Sequence, residues 1–223
     1  MRFVLSVAVL LTVLGCSRGT EEAPLQEQVV RNIGNVIRAR TQPDPGLPPV
    51  TRAQLDALDG GALEATVENR GLSAYLSVNA TRDDGAGGHV TVWRTGDDAT
   101  LTTRNGILVA TRGLGADILS SDVRVSGDQP GPVGGGSHVQ LIRGGDEQAL
   151  RLSLICEISD KGSQTLEIVG RRHVTRHVQQ SCTGAGGAIT NDYWVDPRAN
   201  VVWQSRQWAG PEIGYIRLRR LSL

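Results

Sequence analysis

The stretch ALEATVENRGLSAYLSV, residues 62–78, decides the fold. Leu63, Ala65 and Val67 alternate with polar neighbours, and after Glu68-Asn69-Arg70-Gly71 the alternation resumes at Leu72, Ala74, Leu76 and Val78. A period of two places every second side chain on one face of an extended chain, so this is a pair of half-buried strands around a tight turn. Downstream the same rhythm recurs. Residues 89–95 and 100–105 flank Gly96-Asp97-Asp98, a hairpin signal. Further strands are read at 106–112, 139–143, 150–159, 165–169, 174–180 and 193–195. Residues 201–208 follow the turn residues 196–200, and 213–221 closes the chain. The Gly/Pro-rich residues 127–137 read as a loop. Ten or more short strands without alternating helices predict a mainly-β domain, an antiparallel β-sandwich or an open barrel.

Upstream the period changes. Thr51 is placed to cap a short helix carrying Leu55 and Leu58. Residues 42–49 hold four prolines and are extended. Leu25, Val29, Ile33, Val36 and Ile37 fall at helical spacing, which predicts an N-terminal helix. Residues 25–223 are therefore read as a single domain, and the small, polar residues 16–24 as its tether.

Residues 1–15 carry one charge, Arg2, then an apolar run from Phe3 to Leu14 that is too short to span a bilayer. This is the layout of a secretory signal peptide. Gly15 followed by Cys16 makes it resemble a lipoprotein signal, in which the thiol is lipidated and the chain is cut before the cysteine. The resemblance implies lipidation, palmitate included, at Cys16, and a membrane contact made by the anchor, not by a spanning helix. Ser17 stands where an aspartate would retain the protein at the inner membrane, so the expected destination is the outer membrane, facing the periplasm.

The 23 basic and 23 acidic residues balance, and no basic stripe points to nucleic acid. Phenylalanine occurs only at Phe3, so the core must be built from Val, Ile, Leu and Ala. Beyond Cys16 two cysteines remain, Cys156 and Cys182; an even pair in an exported chain reads as a disulfide on adjacent strands, with Cα atoms about 4.4–6.8 Å apart. Metal ligation is the rival reading, and neither cysteine has a CxxC or His-rich neighbour to support it.

Signs of catalysis are sparse. His173 and His177 are spaced like a helical metal pair, but they sit in strand sequence, where that spacing separates them by about 13 Å. The glycine runs 113–115 and 184–187 lack the Lys-Ser/Thr and helix of a phosphate loop and read as turns. No G-x-S-x-G elbow is present. Asp192 and Asp196 could act as paired carboxylates, although Asp196 precedes Pro197 in a turn, where aspartate serves local hydrogen bonding. No cofactor is expected. The aromatic residues say more. Of eight, five crowd one span: Tyr193, Trp194, Trp203, Trp208 and Tyr215. With Asp196, Gln204, Arg206 and Gln207 among them, they suit either a sugar-binding surface or a packed core, and on one strand Trp203 and Trp208 would face opposite sides.

The same residues carry a resemblance. Residues 191–196 (NDYWVD), 203–211 (WQSRQWAGP) and Ile213-Gly214 are similar to the C-terminal signature of the YjbF/GfcB lipoproteins of group 4 capsule and exopolysaccharide operons. Residues 103–106 (TRNG) and 111–115 (TRGLG) match the middle signature, Cys156 and Cys182 the internal cysteines, and Cys16 the lipid site. The resemblance implies a mostly antiparallel β fold. It also implies an accessory or binding role in making or exporting a surface polysaccharide, without catalytic residues to carry over. The partners it implies are an outer-membrane barrel-type export protein, a periplasmic β-rich protein and the polysaccharide. The candidate surface is Trp194, Asp196, Trp203, Arg206, Gln207 and Trp208. The competing readings are a polysaccharide-modifying enzyme, a glycosidase or lyase, and a structural envelope lipoprotein.

Overall fold

A computed structural model describes residues 47–83, 85, 87–144 and 148–223. The signal peptide, the tether with Cys16 and the helix expected over 25–37 lie outside these residues. Helix α1 (Arg52–Asp56) begins as expected at Thr51. The Thr51 hydroxyl accepts from the Gln54 amide, and the Gln54 side chain accepts from the Thr51 amide at 2.8 Å, which closes a capping box. Leu55 drops from this helix into a cluster with Ile168, Trp203 and Leu221.

Twelve strands follow: β1 (Ala62–Val67), β2 (Leu72–Arg82), β3 (Val90–Arg94), β4 (Thr100–Arg104), β5 (Ile107–Arg112) and β6 (Ile118–Asp122). Then come β7 (Gly136–Arg143), β8 (Ala149–Ile168), β9 (Arg171–Gly184), β10 (Gly187–Asp196), β11 (Val201–Trp208) and β12 (Tyr215–Arg220). Sequence neighbours pair antiparallel except β5 and β6, and β1 also pairs with β12, Leu63 opposite Arg220. The result is an up-and-down meander bent into a nearly closed barrel, which decides between the sandwich and the barrel. The ladder is interrupted only between β5 and β6. There side chains join the edges. Thr111 donates to Asp117 at 2.8 Å, Ile118 N–H donates to the Thr111 hydroxyl at 3.0 Å, and Arg112 donates to the Ile118 carbonyl at 3.0 Å.

Five strands differ from the sequence expectation. The two strands read over 150–159 and 165–169 are one, because Lys161 and Gly162 form a bulge and not a turn: the pairing with β9 shifts between Asp160 and Ser163, and Gly162 sits at φ +93°. Strand β6 was not expected; only Ile118 of its five residues is buried, so it offers no alternation to read. Strand β7 starts at Gly136, inside the expected loop. Strands β9 and β10 run on until Gly184 pairs with Gly187, so those glycines make the hairpin turn.

The interior has two unlike ends. At the β5–β6 and β11–β12 turns it is plugged by Leu108, Leu114, Ile118, Ala209, Ile213 and Ile216. At the other end, where β1 and β11 start and β4 and β12 finish, it opens into a cavity of about 320 Å³. Cys156 and Cys182 are directly opposed on β8 and β9 and form the disulfide. Their Cα separation is 3.9 Å, below the expected range.

Candidate functional site

The signature residues divide between the two sides of the barrel wall. Alternation along β10 turns Asn191, Tyr193 and Val195 inward and Asp192, Trp194 and Asp196 outward. Along β11 Ser205 and Gln207 are buried, while Gln204, Arg206 and Trp208 are half-exposed.

Inside, Gln207 is the hub of a polar network. Its carbonyl oxygen accepts from Leu108 N–H at 2.8 Å and from the Tyr193 hydroxyl at 3.1 Å; its amide donates to the Gly106 carbonyl at 2.9 Å and to the Ser205 hydroxyl at 2.8 Å. Asn191 donates to Gln180 at 3.0 Å and accepts from Trp208 N–H at 2.8 Å. Burial drives the Tyr193 phenol far above its ordinary range. Gln207 is 2% exposed, so it is not part of a surface as expected; it ties β11 to β5 across the barrel. Trp203 is also buried, at 6%. A bulge shifts the β10–β11 pairing beside it, and its ring lies on His173, 3.7 Å between centroids. Its packing partners are Ile168, Leu55 and Leu221.

Outside, register assembles two rows across six strands. One runs Gln179, Asp192, Arg206, Arg217, Thr66 and Ser73; the other runs His177, Trp194, Gln204, Arg219, Glu64 and Tyr75. Trp194 stacks on His177 with centroids 4.7 Å apart and planes 3° from parallel, and its N–H donates to Gln164 at 2.6 Å. His177 Nε2 and Asp192 lie 2.8 Å apart, and Gln179 donates to the same carboxylate oxygen at 3.1 Å. Arg206 spreads over Tyr215, 3.5 Å from the ring centre, and pairs with Glu68 at 2.9 Å. Trp208 opposes Tyr215 on the neighbouring strand. The arrangement is a wall of flat rings, amides and guanidinium groups, held rigid by the ladder and by one another.

Asp192 and Asp196 have separate hydrogen-bond partners. Asp192 serves His177 and Gln179, whereas Asp196 accepts from Arg198 N–H at 2.9 Å and Ala199 N–H at 3.1 Å, closing its own turn. Among the described residues no group of three or more His, Cys, Asp or Glu could hold a metal ion. The sequence reading missed Gln179, Arg217 and Arg219 as members of this wall. Their alternation was visible, but only the strand register brings them beside Asp192 and Gln204.

A rigid antiparallel barrel bearing a C-terminal aromatic and polar wall is a scaffold of a defined kind, and comparison with known proteins places it. Residues 44–221 match the family described as group 4 capsule polysaccharide lipoprotein gfcB, YjbF, and the chain belongs to that family. The family, described as one of capsule polysaccharide lipoproteins, ties it to the cell envelope and to capsule or exopolysaccharide production. The crystal structure of the hypothetical lipoprotein YmcC from Escherichia coli K12 is similar in fold, with a TM-score of 0.65 and 21% identity over 78% of this chain and 89% of that one. No curated protein matches.

Proposed function

We propose that the protein is lipidated at Cys16, held at the inner face of the outer membrane, and acts there as an accessory, binding component in capsule or exopolysaccharide export. The observation that carries this reading is the outer wall of β9–β12. A family signature spends Trp194, Arg206 and Trp208 on the outward side of a strand pair, where they are half-exposed and add little to the core. Rings cover apolar faces of a sugar, and amide and guanidinium groups meet its hydroxyls. The occupant of the wall is the polymer, delivered to an outer-membrane barrel-type export protein with a periplasmic β-rich protein as neighbour.

Two experiments test it. A Cys16→Ser precursor should lose fatty-acid labelling and leave the outer-membrane fraction; unchanged labelling refutes the anchor. Arg206→Ala and Trp194→Ala should impair polymer secretion while melting within a few degrees of the parent. Normal secretion by both, with the proteins folded and anchored, removes the wall from the function.

A further inference from the structure

The open end of the barrel holds a charge that the fold does not neutralise. Arg220 ends β12 with its side chain turned inward, beside Leu63 and Leu218 in the lining of the cavity. Its Nε donates to the Ser222 carbonyl at 3.1 Å, and the guanidinium carbon lies 5.3 Å above the Trp93 ring centre. Among the described residues no carboxylate lies within 4.0 Å of it, although seven other arginine or histidine side chains have such a partner. Burial pulls its affinity for the proton below the ordinary arginine value. A half-buried cation without a counter-ion is costly, and most folds remove it.

The groups around it are chosen for hydroxyl chemistry. Thr91, Thr103 and Ser205 are buried side chains that line the same cavity. Thr103 accepts from the Trp93 indole N–H at 3.1 Å, and Ser205 accepts from Gln207 at 2.8 Å. Both hydroxyls are oriented by these bonds, and with Thr91 they donate to no protein acceptor among the described residues. Trp93 forms the inner wall. Gly61 packs against the same two groups: a Cβ there would stand 3.3 Å from the Arg220 guanidinium and 3.4 Å from Trp93. The rim is exposed and polar, with His89 facing Asp83 at 3.5 Å, and Asp128 and Asn200 opposite. The volume, about 320 Å³, is at the small end of ligand pockets, enough for one ring and too little for a chain to pass through.

We infer that this mouth binds a single anionic sugar residue, its carboxylate on Arg220 and its hydroxyls on Thr91, Thr103 and Ser205. The two acids at the rim set the direction of entry, carboxylate first and away from them. This deepens the polysaccharide reading and rests on it for the choice of a sugar, but it concerns a different face from the β9–β12 wall, so the two fail separately.

The test is a titration of the purified protein with glucuronate, glucose and sodium acetate, followed by calorimetry and by the Trp93 indole N–H resonance. Glucuronate should saturate and shift that resonance, while glucose and acetate bind at least about tenfold more weakly, the worth of one charge-assisted hydrogen bond. Arg220→Gln should abolish the preference for glucuronate over glucose and melt no lower than the parent, since it removes an uncompensated charge. Should that variant fail to fold, Thr91→Val, equal in volume, should weaken glucuronate and glucose alike. Glucuronate binding unchanged in Arg220→Gln overturns the proposal. So does acetate matching glucuronate, which would make the site a bare anion hole, and so does full affinity in Thr91→Val.

Discussion

Two neighbouring residues, Arg206 and Gln207, share a motif and do opposite things. Gln207 satisfies four groups at once inside the barrel, so Gln207→Leu leaves the Leu108 amide, the Gly106 carbonyl and the Ser205 hydroxyl without that partner, and the Tyr193 phenol with only Gln180 at 3.4 Å. Each unsatisfied buried group costs about 1–3 kcal/mol, so the variant should lose about 3 kcal/mol or more in chemical denaturation, or fail to fold. Arg206→Ala loses one half-exposed ion pair and one ring contact, together about 1 kcal/mol, and should keep its denaturation midpoint close to that of the parent. Equal destabilisation of the two would contradict the inside–outside division. The sequence reading grouped both as candidate surface residues. Period two on β11 separates them in principle, but an inward polar residue looks like an outward one until its partners, on β5 and β10, are known.

His138 lends stability a dependence on pH. It is buried on β7, 3.0 Å from the Ser121 hydroxyl on β6, and burial lowers its proton affinity from the ordinary value of 6.5, with Asp122 opposing the shift. The unfolded chain then takes up a proton at a pH where the folded one does not, so stability is present above about 6.5 and is lost as pH falls toward the folded value. His173, lowered by burial and by Arg52 and Arg171, acts in the same direction. Thermal denaturation between pH 7.5 and 5 should show the loss, and His138→Gln should reduce its slope.

At the scale of elements, the β8–β9 hairpin is the longest in the molecule, and the disulfide crosses it well away from its turn. Cys156 and Cys182 enclose a separation of 26 residues, and the chain-entropy estimate for such a loop is roughly 3–4 kcal/mol. Cys156→Ala with Cys182→Ala should lower stability by about that amount, read as a denaturant midpoint that no longer responds to reductant. The pairing was legible because an exported chain with two cysteines has one way to join them. The unbroken strand was not, since Asp160-Lys161-Gly162 has turn composition. Only the register shows the Asp160 side chain accepting from Gly162 N–H at 3.0 Å, so the extra residues are absorbed as a bulge. The expected short helix starts where Thr51 and Gln54 cap it locally and carries Leu55, but it ends at Asp56, before Leu58.

For the molecule as a whole, closure rests on the seam between β5 and β6. Asp117, 6% exposed, accepts from the Thr111 hydroxyl at 2.8 Å, Gly113 N–H at 3.1 Å and Leu114 N–H at 3.1 Å. Asp117→Ala removes the acceptor of all three bonds and should cost about 3 kcal/mol or more, with hydrogen exchange rising first in residues 107–122. Exchange that rises first in β1 and β12 would place the weak point elsewhere. A mainly-β domain, sandwich or open barrel, was visible in the repeated alternation. Its circular order was not, because no residue pattern announces that β1 lies against β12. The matched residues 111–115 sit at this seam, and Asn105, which supports residues 127–129 through its side chain, sits at the mouth. The sequence reads as a turn at the glycine run 113–115 and as a strand over 100–105, and both segments hold the ring together.

The pairing of the first strand with the last also fixes when this protein can fold. A chain delivered N-terminus first brings β1 out early and its partner β12 at the very end, so β1 stays an open edge through the whole of delivery. The contact that completes the ring spans nearly the entire described sequence, which makes the final step a slow, long-range search and not a local zipping-up. Folding therefore waits for residues 215–220, and a chain truncated just before them is left with two naked edges and a route to aggregation.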